Sequence, residues 1–182
     1  MEKITYQGKM IEVVEAPVTM SGVTKTFEYA RRSPGVRLII PRDGSVLISK
    51  EFRHELNGYD YRLPGGKVYD TLVEYNDALS SGADIAVAAQ AAAVKEAQEE
   101  VGVGVEEAQI FHRSVCGASV VWDLYYFVVS RFSEGERHAE AGEDISHEWL
   151  PAAEVQKMCL DGRISEERSA LVLLRYLANL SL

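Results

Sequence analysis

The segment from Ile85 to Val101, IAVAAQAAAVKEAQEEV, constrains this chain more than any other. Ala, Glu, Gln and Lys dominate it, and these side chains lose little freedom in a helix. Asp84 stands where an N-cap belongs and Gly102 where a left-handed terminator belongs. The spacing therefore predicts a helix over 85–101. At about 100° per residue, Glu96, Glu99 and Glu100 share one face, while Val94, Ala97 and Val101 fall on the other. Like charges at these spacings repel by about a few tenths of a kcal/mol each, and acids near a helix C-terminus also oppose the macrodipole. A solvated acidic face is one reading. A bound Mg2+, which prefers carboxylate and carbonyl oxygens, is the other.

The rest of the chain frames that helix. With 182 residues, 47% of them hydrophobic and 26% charged, it reads as one ordinary globular domain. No apolar run approaches the ~18 residues of a membrane span, and the alternating N-terminus lacks the pattern of a secretory signal, so a cytoplasmic protein is expected. The net charge of −9 disfavours nucleic acid and favours a divalent cation as partner. Cys116 and Cys159 have no zinc-ligand spacing and read as core thiols. The histidines, His147 among them, have no metal-ligand spacing either.

Residues 1–62 read as β-rich, with strands at Ile4 to Tyr6, Met10 to Val14, Thr24 to Ala30, Val36 to Ile40 and Val46 to Lys50, and a hairpin turn at Pro41 to Gly44. Residues 63–84 have loop composition with a helical turn around Leu72 to Leu79. Strands return at Gln109 to Ser114, Val120 to Ser130 and Glu148 to Leu150, and helices close the chain from Pro151 to about Leu160 and from Ser165 to Leu180. Mixed strands with a few helices make an α/β/α sandwich the expected α/β fold. Trp122 and Trp149 read as packing residues, and Arg31 and Arg32 as solvated, with a phosphate across a dimer interface as the alternative. No G-x-x-x-x-G-K-[ST] loop, G-x-G-x-x-G turn or G-x-S-x-G elbow competes with the carboxylate cluster.

Together, Leu63-Pro64-Gly65-Gly66 and Lys95-Glu96-Ala97-Gln98-Glu99-Glu100-Val101-Gly102-Val103 resemble the signature of the Nudix hydrolase family, G-x5-E-x7-R-E-U-x-E-E-x-G-U with U aliphatic. Gly66, Glu96, Glu99, Glu100, Gly102 and Val103 match it. Gly66 and Lys95 stand 29 positions apart where the pattern has 14, so 15 extra residues, within 67–84, separate glycine and helix. Lys95 replaces the motif Arg and Val87 the first motif Glu, the pair that braces loop against helix in the family; Glu74 and Asp84 are the candidate substitutes. A lid over the sugar is one expectation for the insertion, with altered sugar selectivity on deletion of 69–83.

The resemblance runs from about Phe27 to Leu177 and is closest to the ADP-ribose and nucleoside-diphosphate-sugar pyrophosphatase branch. It implies metal ligation by Glu96, Glu99, Glu100 and the Gly65 carbonyl, holding two or three Mg2+ ions, with Mn2+ as a substitute. It implies a phosphate contact by Arg53 in Lys50-Glu51-Phe52-Arg53, and a loop base in Gly142-Glu143-Asp144-Ile145, Glu143 first and Glu140 as the alternative. Glu100, Gly66, Arg32 and Phe27 complete the expected catalytic and substrate-binding set, Phe27 by stacking on a base. Arg62 departs from the branch, replacing the Glu that precedes its Leu-Pro. The expected activity is hydrolysis of a nucleoside diphosphate sugar to a nucleoside monophosphate and a sugar phosphate. Triphosphates or dinucleotides as substrates, and a non-catalytic nucleotide-binding domain, are the alternatives. The resemblance further implies a homodimer paired through residues 1–33, with a catalytic core over 34–182.

Overall fold

The computed structural model describes residues 2–54, 56–136 and 145–180. In chain order the elements are β1 (Lys3–Gln7), β2 (Glu12–Met20), β3 (Val23–Arg31), β4 (Gly35–Ile39), β5 (Pro41–Arg42), β6 (Ser45–Arg53), β7 (Gly58–Arg62), α1 (Leu72–Ser81), α2 (Ile85–Val101), β8 (Val103–Ser114), β9 (Val120–Val121), β10 (Leu124–Glu134), β11 (Ile145–Pro151), α3 (Ala152–Leu160) and α4 (Glu167–Leu180). Strand β10 lies at the centre of a mixed sheet, parallel to β4 on one side and antiparallel to β8 on the other. A second sheet runs β11-β6-β5, with β7 also paired to β6, and a third runs β1-β2-β3-β9.

Side-chain alternation along the strands makes the α/β/α sandwich. In the β4 stretch, Val36, Leu38 and Ile40 pack toward α2 together with Tyr125, Phe127 and Val129 of β10. Their alternates, Ile39 of β4 and Leu124 and Tyr126 of β10, pack toward α3 and α4. All of β4 is buried, because a helix layer covers each face of it. Helix α2 meets the sheet through Ala89, Ala92, Ala93 and Ala97, whose small side chains let the helix approach closely. Val94, expected on that apolar face, is instead 42% exposed.

The expected ends of α2 are the observed ones. The Asp84 side chain accepts from the Ala86 N–H at 2.9 Å, and Gly102 is left-handed at φ 66°. Asp43 and Gly44, both at positive φ, make the β5–β6 hairpin. Other elements differ from their expected extents. Strand β2 starts at Glu12 and reaches Met20, β8 starts directly after α2, and Trp122-Asp123 interrupt the expected strand between β9 and β10. Strand β7 carries no separate sequence mark. The expected helical turn in the insertion is a full helix, α1, closed by a reciprocal capping box between Thr71 and Glu74.

Helix α1 faces the N-terminal sheet. Asn76 donates to Glu12 at 2.9 Å, and Glu12 is fully buried. Arg31 Nε donates to the same carboxylate at 2.6 Å and its Nη1 reaches Glu2 at 2.9 Å. Arg31, read as solvated, is therefore an ion-paired residue with 11% of its side chain exposed. Tyr75 is buried and stacks on Tyr69. Cys116, expected in the core, is exposed, and Cys159 is half-buried. No helix among the described residues is long and apolar enough to cross a membrane.

Candidate active site

The end of α2 meets the Leu63-Pro64-Gly65-Gly66 loop. Leu38 N–H donates to Pro64 O at 2.9 Å and Val36 N–H donates to Gly66 O at 3.0 Å, so β4 holds the carbonyls on either side of Gly65. Among the described residues nothing donates to the Gly65 carbonyl itself. Gly65 sits at φ 149°, and a Cβ there would run into the Val36 carbonyl. At Gly66 a Cβ would fall within the Glu96 carboxylate. Both glycines are thus required by close approach, one to a strand and one to a carboxylate.

Glu100 is held from three sides. Gly65 N–H donates to its Oε2 at 2.6 Å and Ser49 Oγ to its Oε1 at 3.0 Å, while His147 Nε2 lies 3.6 Å from Oε1. Ser49 of β6 and His147 of β11 are cross-strand partners, so one rung of that ladder carries both contacts. Glu99 is more exposed and pairs with Lys95 at 3.4 Å. Burial, with the Glu100 and Glu99 charges adding to it, pushes the Glu96 carboxyl up to about 7.

These groups border a cavity of about 330 Å3 lined by Glu51, Arg53, Gly65, Gly66, Lys67, Asp70, Lys95, Glu96, Glu99, Glu100 and Ile145. Hard oxygens line it beside a carbonyl that no donor among the described residues uses, and the Glu96 carboxyl is raised first by burial and then by the neighbouring Glu100 and Glu99 charges. That donor chemistry fits a hard divalent cation. Among the described residues no three acidic, His or Cys side chains already meet as a closed coordination group. Glu100 is occupied by Gly65 and Ser49 instead.

Arg53 reaches the cavity, with one Nη 2.6 Å from Glu51 and a buried Nε that has no hydrogen-bond partner among the described residues. Arg32 lies apart from the carboxylates, in an adjoining cavity, and its guanidinium covers the Trp122 ring at 4.4 Å. It is a stacked residue where a solvated one was expected. Phe27 lies in β3, 45% exposed, and lines neither cavity. Glu140 and Glu143 lie outside the described residues. Val87 is 64% exposed and Glu74 and Asp84 are engaged in helix caps, so neither expected substitute braces the loop. Asp70 is the insertion residue whose charge acts on Lys95 across the cavity. Sequence reasoning passed over it and Ser49, and dismissed His147 for want of metal-ligand spacing. Their only sequence sign was placement in or beside short polar-apolar alternations.

Similarity to known proteins agrees with this geometry. A family model described as the NUDIX domain matches residues 31–169, and the chain belongs to that family. It is thereby a Nudix pyrophosphohydrolase, of a family whose hydrolases generally use divalent metal ions. Among solved structures it is similar to one titled "Crystal structure of ADP compounds hydrolase", with a TM-score of 0.71 and 17% identity over 98% of this chain and 90% of that one. No curated protein matches the sequence.

Proposed function

We propose that this protein hydrolyses the diphosphate linkage of a nucleoside diphosphate sugar such as ADP-ribose, releasing a nucleoside monophosphate and a sugar phosphate. The supporting observation is that Glu96, Glu99 and Glu100 line one cavity with Gly65, whose carbonyl takes no donor among the described residues, beside an Arg53 whose Nε has no acceptor among them. Glu96, Glu99, Glu100 and the Gly65 carbonyl would hold Mg2+, with Mn2+ as a substitute. Such ions neutralise phosphoryl oxygens and lower the pKa of a coordinated water. Arg53 contacts a phosphate through the planar fork that suits bidentate recognition. Glu143, or Glu140, orients and deprotonates the attacking water from the acidic segment that ends at Ile145, a cavity-lining residue. Ser49 and the Gly65 N–H keep Glu100 oriented toward the loop.

Two further readings belong to this proposal. The sheet of β1, β2, β3 and β9 exposes Tyr6, Val18, Met20, Val23 and Phe27, an apolar surface that a second copy covers in a homodimer. Exposed Cys116 suits the reducing cytoplasm. The test is incubation of ADP-ribose, ADP-glucose, GDP-mannose and ATP with Mg2+, with monophosphate followed by chromatography. Monophosphate from at least one diphosphate sugar supports the reading. Pyrophosphate or phosphate from ATP alone would make the protein a triphosphate hydrolase instead.

A further inference from the structure

The adjoining cavity, about 380 Å3, shares Arg53, Gly65, Gly66 and Lys67 with the carboxylate site. Its charge is opposite. Arg32, Arg37, Arg53, Arg62 and Lys67 line it, and no Asp or Glu among the described residues does. Three of these cations are answered by acids: Arg37 by Glu166 at 3.0 Å, Arg53 by Glu51 and Arg62 by Asp60. Arg32 and Lys67 form no ion pair among the described residues.

Arg32 is the most informative of them. It is half-buried and its Nε has no hydrogen-bond partner among the described residues. Its guanidinium shares the Trp122 ring with that of Arg168, which lies 4.5 Å from the same ring and donates to the Trp122 carbonyl at 2.8 Å. Burial, and then the Arg37 and Arg168 charges, hold the Arg32 guanidinium below its ordinary pKa. Stacking uses the face of a guanidinium and leaves its edge N–H groups for a planar acceptor. A chain of net charge −9 has thus gathered repelling cations in one cavity. A bound anion relieves both the repulsion and the unmet donor. A neutral sugar hydroxyl can accept from the donor but leaves the repulsion in place.

We propose that this cavity is a subsite for a phosphate monoester that the substrate carries in addition to the diphosphate that is cleaved. The favoured substrate class is then a nucleoside diphosphate derivative with a further phosphoryl group. This rests on the proposed function for the position of the cleaved linkage. It goes beyond that reading in naming a second anionic group and the residues, Arg32, Arg62 and Lys67, that recognise it.

The test compares ADP-ribose with two probes that place the extra phosphate monoester differently: ADP-ribose 2′-phosphate on the nucleoside side and ADP-ribose 1″-phosphate on the distal ribose. Expected is a kcat/KM about tenfold or more above that of ADP-ribose for at least one probe. Arg32→Gln, Arg62→Gln and Lys67→Gln should each pull that ratio toward one. Lys67 is exposed, so its variant gives the readout if the arginine variants fold poorly. No preference for any probe, or a ratio unmoved in all three variants, overturns the subsite. If no compound is cleaved, the proposed activity fails, and calorimetric binding of the same probes without metal then decides the subsite separately. Binding of one probe about tenfold tighter than ADP-ribose, lost in Lys67→Gln, supports it. Equal affinities refute it.

Discussion

Gly66 shows how much of the site depends on single atoms. Its missing Cβ is what lets the Glu96 carboxylate lie against the loop. Gly66→Ala is expected to displace Glu96 and lower kcat on ADP-ribose by about a hundredfold, while circular dichroism stays native. Wild-type turnover by this variant would show that Glu96 has no fixed place in the chemistry. In the adjoining cavity, Arg37 is buried against Glu166, and Glu166→Gln strands that charge. Urea unfolding should register a loss of about 3 kcal/mol. Residues that act through local spacing were readable in the sequence: the three helix carboxylates, Asp84 and Gly102 all follow from helix geometry. Arg31 was misread because its buried partner, Glu12, belongs to a different strand. His147 was set aside for want of metal-ligand spacing, because its approach to Glu100 is made only when β11 packs beside the end of α2. Burial and cross-strand pairing are created by the fold, and no short window records them.

At the scale of elements, the insertion is the clearest departure. Its composition suggested a loop with a helical turn around Leu72 to Leu79, and residues 72–81 form a full capped helix that joins Asn76 to Glu12 of the N-terminal sheet. Only Lys67 and Asp70 of the insertion line the carboxylate cavity. Thr71→Ala removes the reciprocal cap and should cost about 1 kcal/mol, measurable by urea unfolding; no change would mean that α1 contributes nothing to global stability. The capping box Thr71 to Glu74 was present in the sequence but lay inside a stretch rich in Tyr, Asp and Ser, where turn composition masks a helix start. Strand β4 was readable for the opposite reason. A short run that is apolar on both faces belongs under two helix layers, which is where it lies.

For the whole molecule, the carboxylate cluster sets a conflict between stability and function. The Glu96 carboxyl titrates near 7 in the folded chain, above its ordinary value of 4.5, so the folded state binds this proton more tightly than the unfolded one. The metal-free protein should therefore lose stability as pH rises from about 5 through 7, by on the order of 2 kcal/mol once solvent screening is allowed for. Thermal unfolding with a chelator should show that decline, and Mg2+ should suppress it. A metal-free profile that stays flat from pH 5 to 8 would mean that Glu96 carries no such penalty. The half-buried Glu166, lowered by Arg37, acts in the opposite sense: its contribution is present above its unfolded pKa and is lost on acidification.

The most direct measurement pairs two readings on Glu96→Gln, which keeps an acceptor for the Lys67 N–H but removes the charge. ADP-ribose hydrolysis with Mg2+ should fall by about a hundredfold or more relative to wild type. The metal-free thermal midpoint at pH 8 should rise. Wild-type turnover in the variant, or hydrolysis by the wild type that survives complete chelation, would contradict a metal-dependent carboxylate site at the end of α2.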